Sequence, residues 1–273
     1  WRPPSYPGMR PTNELEEGQG PEWYYGGITF ANEKQGWAAV YHWIFHTDDG
    51  GQTWTRQFDT GNTNHALGPI AFRDTLHGCV TGWSVICTED GGKTWSERLG
   101  TAPNDDKMLG GVSLIGQSDG WTAGGEGGIY KTTDGGRSWT ALQSNKFGSA
   151  PFFVNKKTGW LYNWWFFNDV CRTDDGGQTW VKQDVGIEVK KVFFTDDANG
   201  WAVGIIGETK DGKQTTTTAT SSSKDLAKAW RVIKHTTDGG KTWVTQYKEF
   251  MGNDRHSGFR GVFFTNPATG WVV

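Results

Sequence analysis

Paired carboxylates beside glycines are the first residues here that could do chemistry: Asp48-Asp49 before Gly50-Gly51, and Asp174-Asp175 before Gly176-Gly177. Adjacent acids on a tight turn resemble calcium ligands. A calcium loop needs alternating oxygen ligands and a terminal Glu, and both segments lack them. A turn reading accounts for them better: an Asp carboxylate accepts backbone N–H groups a few residues on, and Gly supplies positive φ. Glycoside hydrolysis would need two carboxylates about 5–10 Å apart over a cleft. Glu126, Asp169 and Glu208 are the candidates, and none sits in a recognisable motif. No Gly-rich phosphate loop, nucleophile elbow or zinc motif occurs. His42 has no second His or Cys at metal spacing and reads as a polar rim residue. No catalytic residue, metal ligand or cofactor is therefore assigned.

Recognition chemistry has better candidates. Tyr41-His42-Trp43 and the run Tyr162-Asn163-Trp164-Trp165-Phe166-Phe167 concentrate aromatic side chains. Aromatic clusters at loop tips anchor protein or sugar partners. The competing reading is packing, because alternation places Trp160, Tyr162 and Trp164 on one side of a strand and Leu161, Asn163 and Trp165 on the other. Charged groups accompany them: Arg98, Asp105, Asp106 and Lys107 in one stretch, Lys248, Arg255, His256 and Arg260 in another. The expected binding set is Tyr41, His42, Trp43, Tyr162, Trp164, Trp165, Phe166, Arg255 and His256.

The elements that must position these residues come from a repeat. One octet recurs five times, beginning at Thr47, Thr88, Thr132, Thr173 and Thr236, and reading Thr-x-Asp-Gly-Gly-x-Thr/Ser-Trp. Its Asp falls at Asp49, Asp90, Asp134, Asp175 and Asp238, so successive steps are 41, 44, 41 and 63 residues. Its closing Trp falls at Trp54, Trp95, Trp139, Trp180 and Trp243. These ten residues are assigned a structural role: the Asp clips the turn and the Trp buries a large ring. Upstream, a Gly-Trp pair opens a strand at Gly36, Gly120, Gly159, Gly200 and Gly270, with Gly78-Cys79 in its place in the second unit. One unit thus reads strand A, polar turn, strand B from Gly-Trp, hairpin, strand C ending at Thr, octet turn, strand D. Four strands in about 41 residues predict an all-β propeller of four-stranded antiparallel blades. Octet turns and A–B turns then share one face. The B–C hairpins and D–A crossovers share the other, where loops vary and ligands are expected.

The octets resemble the Asp-box, or BNR, repeat of sialidases, some glycoside hydrolases, sortilin-type receptors and photosystem II assembly-factor-like proteins. Gly-Trp-Ala-Val-Gly at 200–204 followed by an octet is most similar to the last group. The resemblance spans residues 26–273. It implies the propeller fold, with six or seven blades when intact, and a scaffold that binds a protein partner. Residues 1–25, with five prolines and no box, read as an N-terminal Pro-rich arm. Residues 26–273 supply five full blades and the start of a sixth, so the expectation is a propeller truncated at the C-terminus. Residues 206–230 read as a loop insertion in the fifth B–C hairpin. Its Thr/Ser tract is expected to be flexible, and Lys224 to Ala229 to form one or two helical turns.

Composition agrees with this architecture. Aromatics make up 14% of the residues, with 17 Trp and 40 Gly, which suits short strands and tight turns rather than helices. A net charge of -3 gives no basic excess for nucleic acid, and no apolar run is long enough to span a bilayer. Cys79 and Cys87 could face each other across one hairpin, but buried free thiols are the expectation. The chain opens with Trp1 rather than Met, which reads as a processed or trimmed product. The expected location is extracytoplasmic: periplasmic, lumenal or secreted. The leading functional reading is a non-catalytic scaffold for a protein partner or multi-subunit complex, as an assembly or accessory subunit of a larger (membrane) complex. Glycoside hydrolysis or carbohydrate binding is the alternative, and an Arg-Ile-Pro sialidase signature is absent.

Overall fold

The computed structural model describes residues 26–61, 66–100, 108–124, 128–142, 150–162, 170–215, 226–252, 258–259 and 261–273. All regular elements among them are strands. Blade one is β1 (Gly27–Phe30), β2 (Gly36–Val40), β3 (Trp43–Thr47) and β4 (Thr55–Asp59). Blade two is β5 (Ile70–Phe72), β6 (Gly78–Thr81), β7 (Ser84–Thr88) and β8 (Ser96–Gly100). Blade three is β9 (Leu109–Ile115), β10 (Asp119–Gly124), β11 (Gly128–Thr132) and β12 (Thr140–Ala141). Blade four is β13 (Ala150–Phe153), β14 (Gly159–Tyr162), β15 (Val170–Thr173) and β16 (Val181–Gln183). Blade five is β17 (Glu188–Phe194), β18 (Gly200–Thr209), β19 (Gln214–Thr215), β20 (Leu226–Thr236) and β21 (Val244–Phe250). A two-stranded sheet of β22 (Val262–Asn266) and β23 (Thr269–Val272) follows. Each four-strand path runs antiparallel in chain order, so the fold is the expected β-propeller.

The core is a series of layers between blades. Trp37, Ala39 and Ile44 of blade one meet Leu67, Ile70 and Val80 of blade two. Ala123 and Ile129 of blade three meet Leu161 and Cys171 of blade four. Trp160, Tyr162 and Val170 of blade four meet Val189, Val192 and Phe194 of blade five. A solenoid of single-strand rungs would not make sheet-on-sheet layers of this kind. The Gly-Trp residues lead the packing. Trp37, Trp121, Trp160 and Trp201 are buried, and each stacks on a Phe from strand A of the next unit, with centroids 3.5–3.7 Å apart.

Two expectations are corrected. Cys79 and Cys87 are directly opposed across β6 and β7 and form a disulfide, not a pair of thiols. Leu226 to Ala229 lie in β20, not in a helical turn. The β18–β20 ladder runs from Gly200↔Thr236 to Thr209↔Leu226, so much of the insertion is an extended hairpin, with β19 pairing β18. Helix-forming Lys and Ala there are overridden by a strand partner rich in β-branched residues. Residues 1–25 and the tract 216–225 lie outside the described residues.

Candidate functional site

Each Asp box is a closed hydrogen-bond circuit. In the second, Asp90 Oδ1 accepts Thr88 Oγ1 at 2.8 Å and Thr94 N–H at 2.9 Å, and Oδ2 accepts Thr94 Oγ1 at 2.6 Å. Gly92 N–H donates to Thr88 Oγ1, and Trp95 Nε1 to Gly92 O. The Asp49, Asp134, Asp175 and Asp238 carboxylates make the same three contacts. These bonds favour the ionised form and lower all five carboxyl pKa values to about 2. The closing Trp residues are half-buried. Trp95, Trp139, Trp180 and Trp243 pack on the layer between their blade and the one before. Carboxylates so occupied serve the turn.

On the loop face, the β2–β3 hairpin brings Tyr41, His42 and Trp43 beside the end of β4. Tyr41 takes a left-handed conformation, φ 54°, and its carbonyl accepts Leu67 N–H at 2.6 Å. Trp43 Nε1 donates to Asp59 Oδ2 at 3.0 Å, and the His42 ring meets the Trp43 ring edge-on with centroids 4.4 Å apart. Asp59 is held below its ordinary pKa, first by the Gly61 N–H and then by the Trp43 indole, His42 and Arg56. Arg56 lies 5.9 Å from the Trp43 ring and 3.7 Å from Asp59. The result is an orienting frame: partly exposed aromatic rings with a carboxylate and a guanidinium fixed at their edge.

Of the other expected residues, Tyr162 is the one among the described residues, and it does not join this frame. Tyr162 is buried in the layer between blades four and five, with Lys191 Nζ 5.8 Å from its ring. Trp164, Trp165, Phe166, Arg255 and His256 lie outside the described residues, as do Glu126, Asp169, Asp105, Asp106, Lys107 and Arg260. Arg98 and Lys248 belong to strands β8 and β21 rather than to crossovers. Arg98 pairs with Glu89, and Lys248 sits 4.3 Å from the Trp230 ring centroid. Glu208 pairs with Lys228 at 3.2 Å on the extended hairpin. Among the described residues, no three His, Cys, Asp or Glu side chains group as metal ligands.

The sequence reading missed a polar cleft of about 300 Å³ on the box face between blades two and three, lined by Arg73, Asp74, His77, Glu89, Gln117, Asp134, Gly135 and Arg137. Arg137 grips Glu89 with two bonds of 2.9 and 3.0 Å, and His77 Nδ1 lies 2.9 Å from Asp74. The Arg137 bond is the largest cause of the lowered Glu89 pKa. Glu89 and Arg137 occupy the variable positions of boxes two and three. That variation was the available signal.

The family described as photosynthesis system II assembly factor YCF48 matches residues 56–183, and the BNR/Asp-box repeat matches residues 45–56. No curated protein matches the chain. A solved structure of YCF48 bound to D1 peptide is 20% identical, with a TM-score of 0.55 over 90% of this chain and 88% of that one. YCF48 from Cyanidioschyzon merolae is 19% identical, with a TM-score of 0.53 over 90% of this chain and 91% of that one. A GH74 xyloglucanase from Xanthomonas campestris is 12% identical, with a TM-score of 0.53 over 82% of this chain but only 45% of that enzyme. At these identities the structural likeness carries the fold alone. The chain is an Asp-box (BNR) repeat β-propeller, and the family it resembles is that of the photosystem II assembly factor.

Proposed function

We propose that the chain is a protein-binding propeller, acting outside the cytoplasm as an accessory or assembly subunit of a larger complex. The observation that carries this reading is the Tyr41-His42-Trp43 frame with Asp59 and Arg56. An indole held by a hydrogen bond to a fixed carboxylate is a rigid anchor, and Trp, Tyr and Arg dominate the energetics of protein interfaces. The similarity to an assembly-factor family supports the reading, as does a solved YCF48 described as bound to a D1 peptide. The Cys79–Cys87 disulfide suits an oxidising compartment.

The test is co-purification from the membrane fraction of the source cell, comparing wild type with Trp43→Ala and with Arg137→Ala on the opposite face. Trp43→Ala should weaken capture of the wild-type partner roughly tenfold or more, as an interface anchor does, while the circular dichroism spectrum is preserved. Arg137→Ala should capture normally. Equal capture by wild type and Trp43→Ala overturns the assignment of this face. Binding to a glycan array that Trp43→Ala abolishes would move the reading to a carbohydrate-binding propeller.

A further inference from the structure

The disulfide stands on a particular rung of the repeat. The Gly-Trp indole of strand B is paired across the sheet with the residue preceding the box Thr: Trp37↔His46, Trp121↔Lys131, Trp160↔Arg172 and Trp201↔His235. In all four blades that side chain packs on the indole, with separations of 4.6–5.2 Å. In blade two the same rung is Cys79↔Cys87. The bond therefore replaces the indole and its cover together.

The junction it faces is also different. Trp37, Trp121 and Trp160 each donate Nε1–H to the first box glycine of the next blade, at Gly91, Gly176 and Gly239. Gly135, the equivalent in blade three, instead receives Arg73 Nη1 at 3.3 Å. The strand-A Phe that the indole would stack on is Leu114 in blade three, opposite Gly120. The sulfurs fill the indole's place: a Cβ added at Gly136 would lie 3.0 Å from Cys79 Sγ and 3.2 Å from Cys87 Sγ. The polar cleft, with Arg73, Gly135 and Arg137 in its wall, opens at this same junction.

We propose that the junction between blades two and three is a redox-conditional seam, closed by the Cys79–Cys87 bond and loosened by its reduction. A dithiol or phosphine reductant supplies two electrons and is itself oxidised. The sulfur–sulfur bond breaks, and each sulfur takes a proton. Two unbonded sulfurs need van der Waals separation, and Gly136 already occupies the space beside them. Among the described residues, the strand-B-to-strand-A aromatic stack of the other junctions is missing here, Cys79 and Leu114 standing where Trp and Phe stack elsewhere.

The experiment uses the full chain, oxidised and after incubation with a phosphine reductant. It reads thiol count, Tm and hydrogen exchange. Reduction should lower Tm by roughly 4–8 °C and raise exchange in β6, β7, β9 and β11, leaving blades four and five protected. Cys79→Trp/Cys87→Lys/Leu114→Phe, which installs the rung of the other blades, should be insensitive to reductant. Where that variant does not fold, Cys79→Ser/Cys87→Ser must match the reduced wild type and ignore reductant. Three thiols in the unreduced protein overturn the proposal. So does a bond that survives the reductant in the native state, or one that is cleaved with no change in Tm or exchange.

Discussion

At the scale of one residue, Asp90 shows what the box carboxylates contribute. Its two oxygens accept three hydrogen bonds, and the Thr94 hydroxyl is the largest cause of a pKa lowered from 3.8 to about 2. The sign follows from linkage. The unfolded chain binds the proton first, so the stabilisation is complete above the unfolded value of 3.8 and is lost as pH falls through about 2. Five such groups steepen the fall of stability with pH in that window. Asp90→Ala should lower Tm at neutral pH by about 2–4 °C, the effect of losing roughly one net hydrogen bond. It should also flatten the dependence of Tm on pH across the acid window. Thermal melts over a pH series check both, and an unchanged slope would show that Asp90 is not one of the titrating groups.

At the scale of the element, the box turn works because its glycines adopt angles other residues avoid. Gly92 has φ +88°, and a Cβ there would meet Gln57 Oε1 at 2.2 Å and Trp37 Nε1 at 3.2 Å. Gly116 has φ +59° in a polar turn, with nothing within 4 Å of an added Cβ. Gly116→Ala should therefore cost only the backbone term, about 1 kcal/mol. Gly92→Ala adds a clash with the preceding blade and should cost at least about twice that. Urea denaturation of the two variants separates the contributions, and equal losses would mean that the turn alone, not its neighbour, selects glycine. The local turn and the blade-to-blade contact thus impose the same residue for two independent reasons.

At the scale of the whole molecule, stability resides in the layers between blades. Trp121 is wholly buried, lies 3.7 Å from Phe153 by centroid, and donates to Gly176 O at 2.9 Å. Trp271, at the corresponding Gly-Trp position in β23, is 57% exposed. Trp121→Ala should cost about 3–5 kcal/mol, as a buried aromatic truncation does, and Trp271→Ala under about 1 kcal/mol. Denaturant titration checks this contrast, and similar losses would mean that the interblade stack is not the main stabilising contact. Because each layer joins only adjacent blades, damage should spread to nearest neighbours first, as in other repeat proteins.

The blade pattern and the box turn were legible in the sequence because their interactions are local. Asp90 reaches Thr94 four residues on, and a period-2 strand declares its two faces by alternation. The hairpin that carries Tyr41-His42-Trp43 was also visible, since its tip sits between two readable strands, but its contacts with Asp59 and Arg56 were not. Other features rest on partners that only the packing of adjacent blades brings together. Glu89 meets Arg137 across 48 residues, Trp37 caps Gly91 across 54, and Tyr162 is buried by a neighbouring blade. The Cys79–Cys87 bond depended on strand register, and the path of Leu226 to Ala229 on a pairing strand that outweighs local helix preference. Sequence by itself determined the repeat, its turns and its fold class, because short-range hydrogen bonds and alternation encode them. Tertiary structure decided which aromatics are surface and which are core, where the cleft opens, and which rung is covalent. Those properties belong to the contact between two sheets, and neither sheet carries them alone.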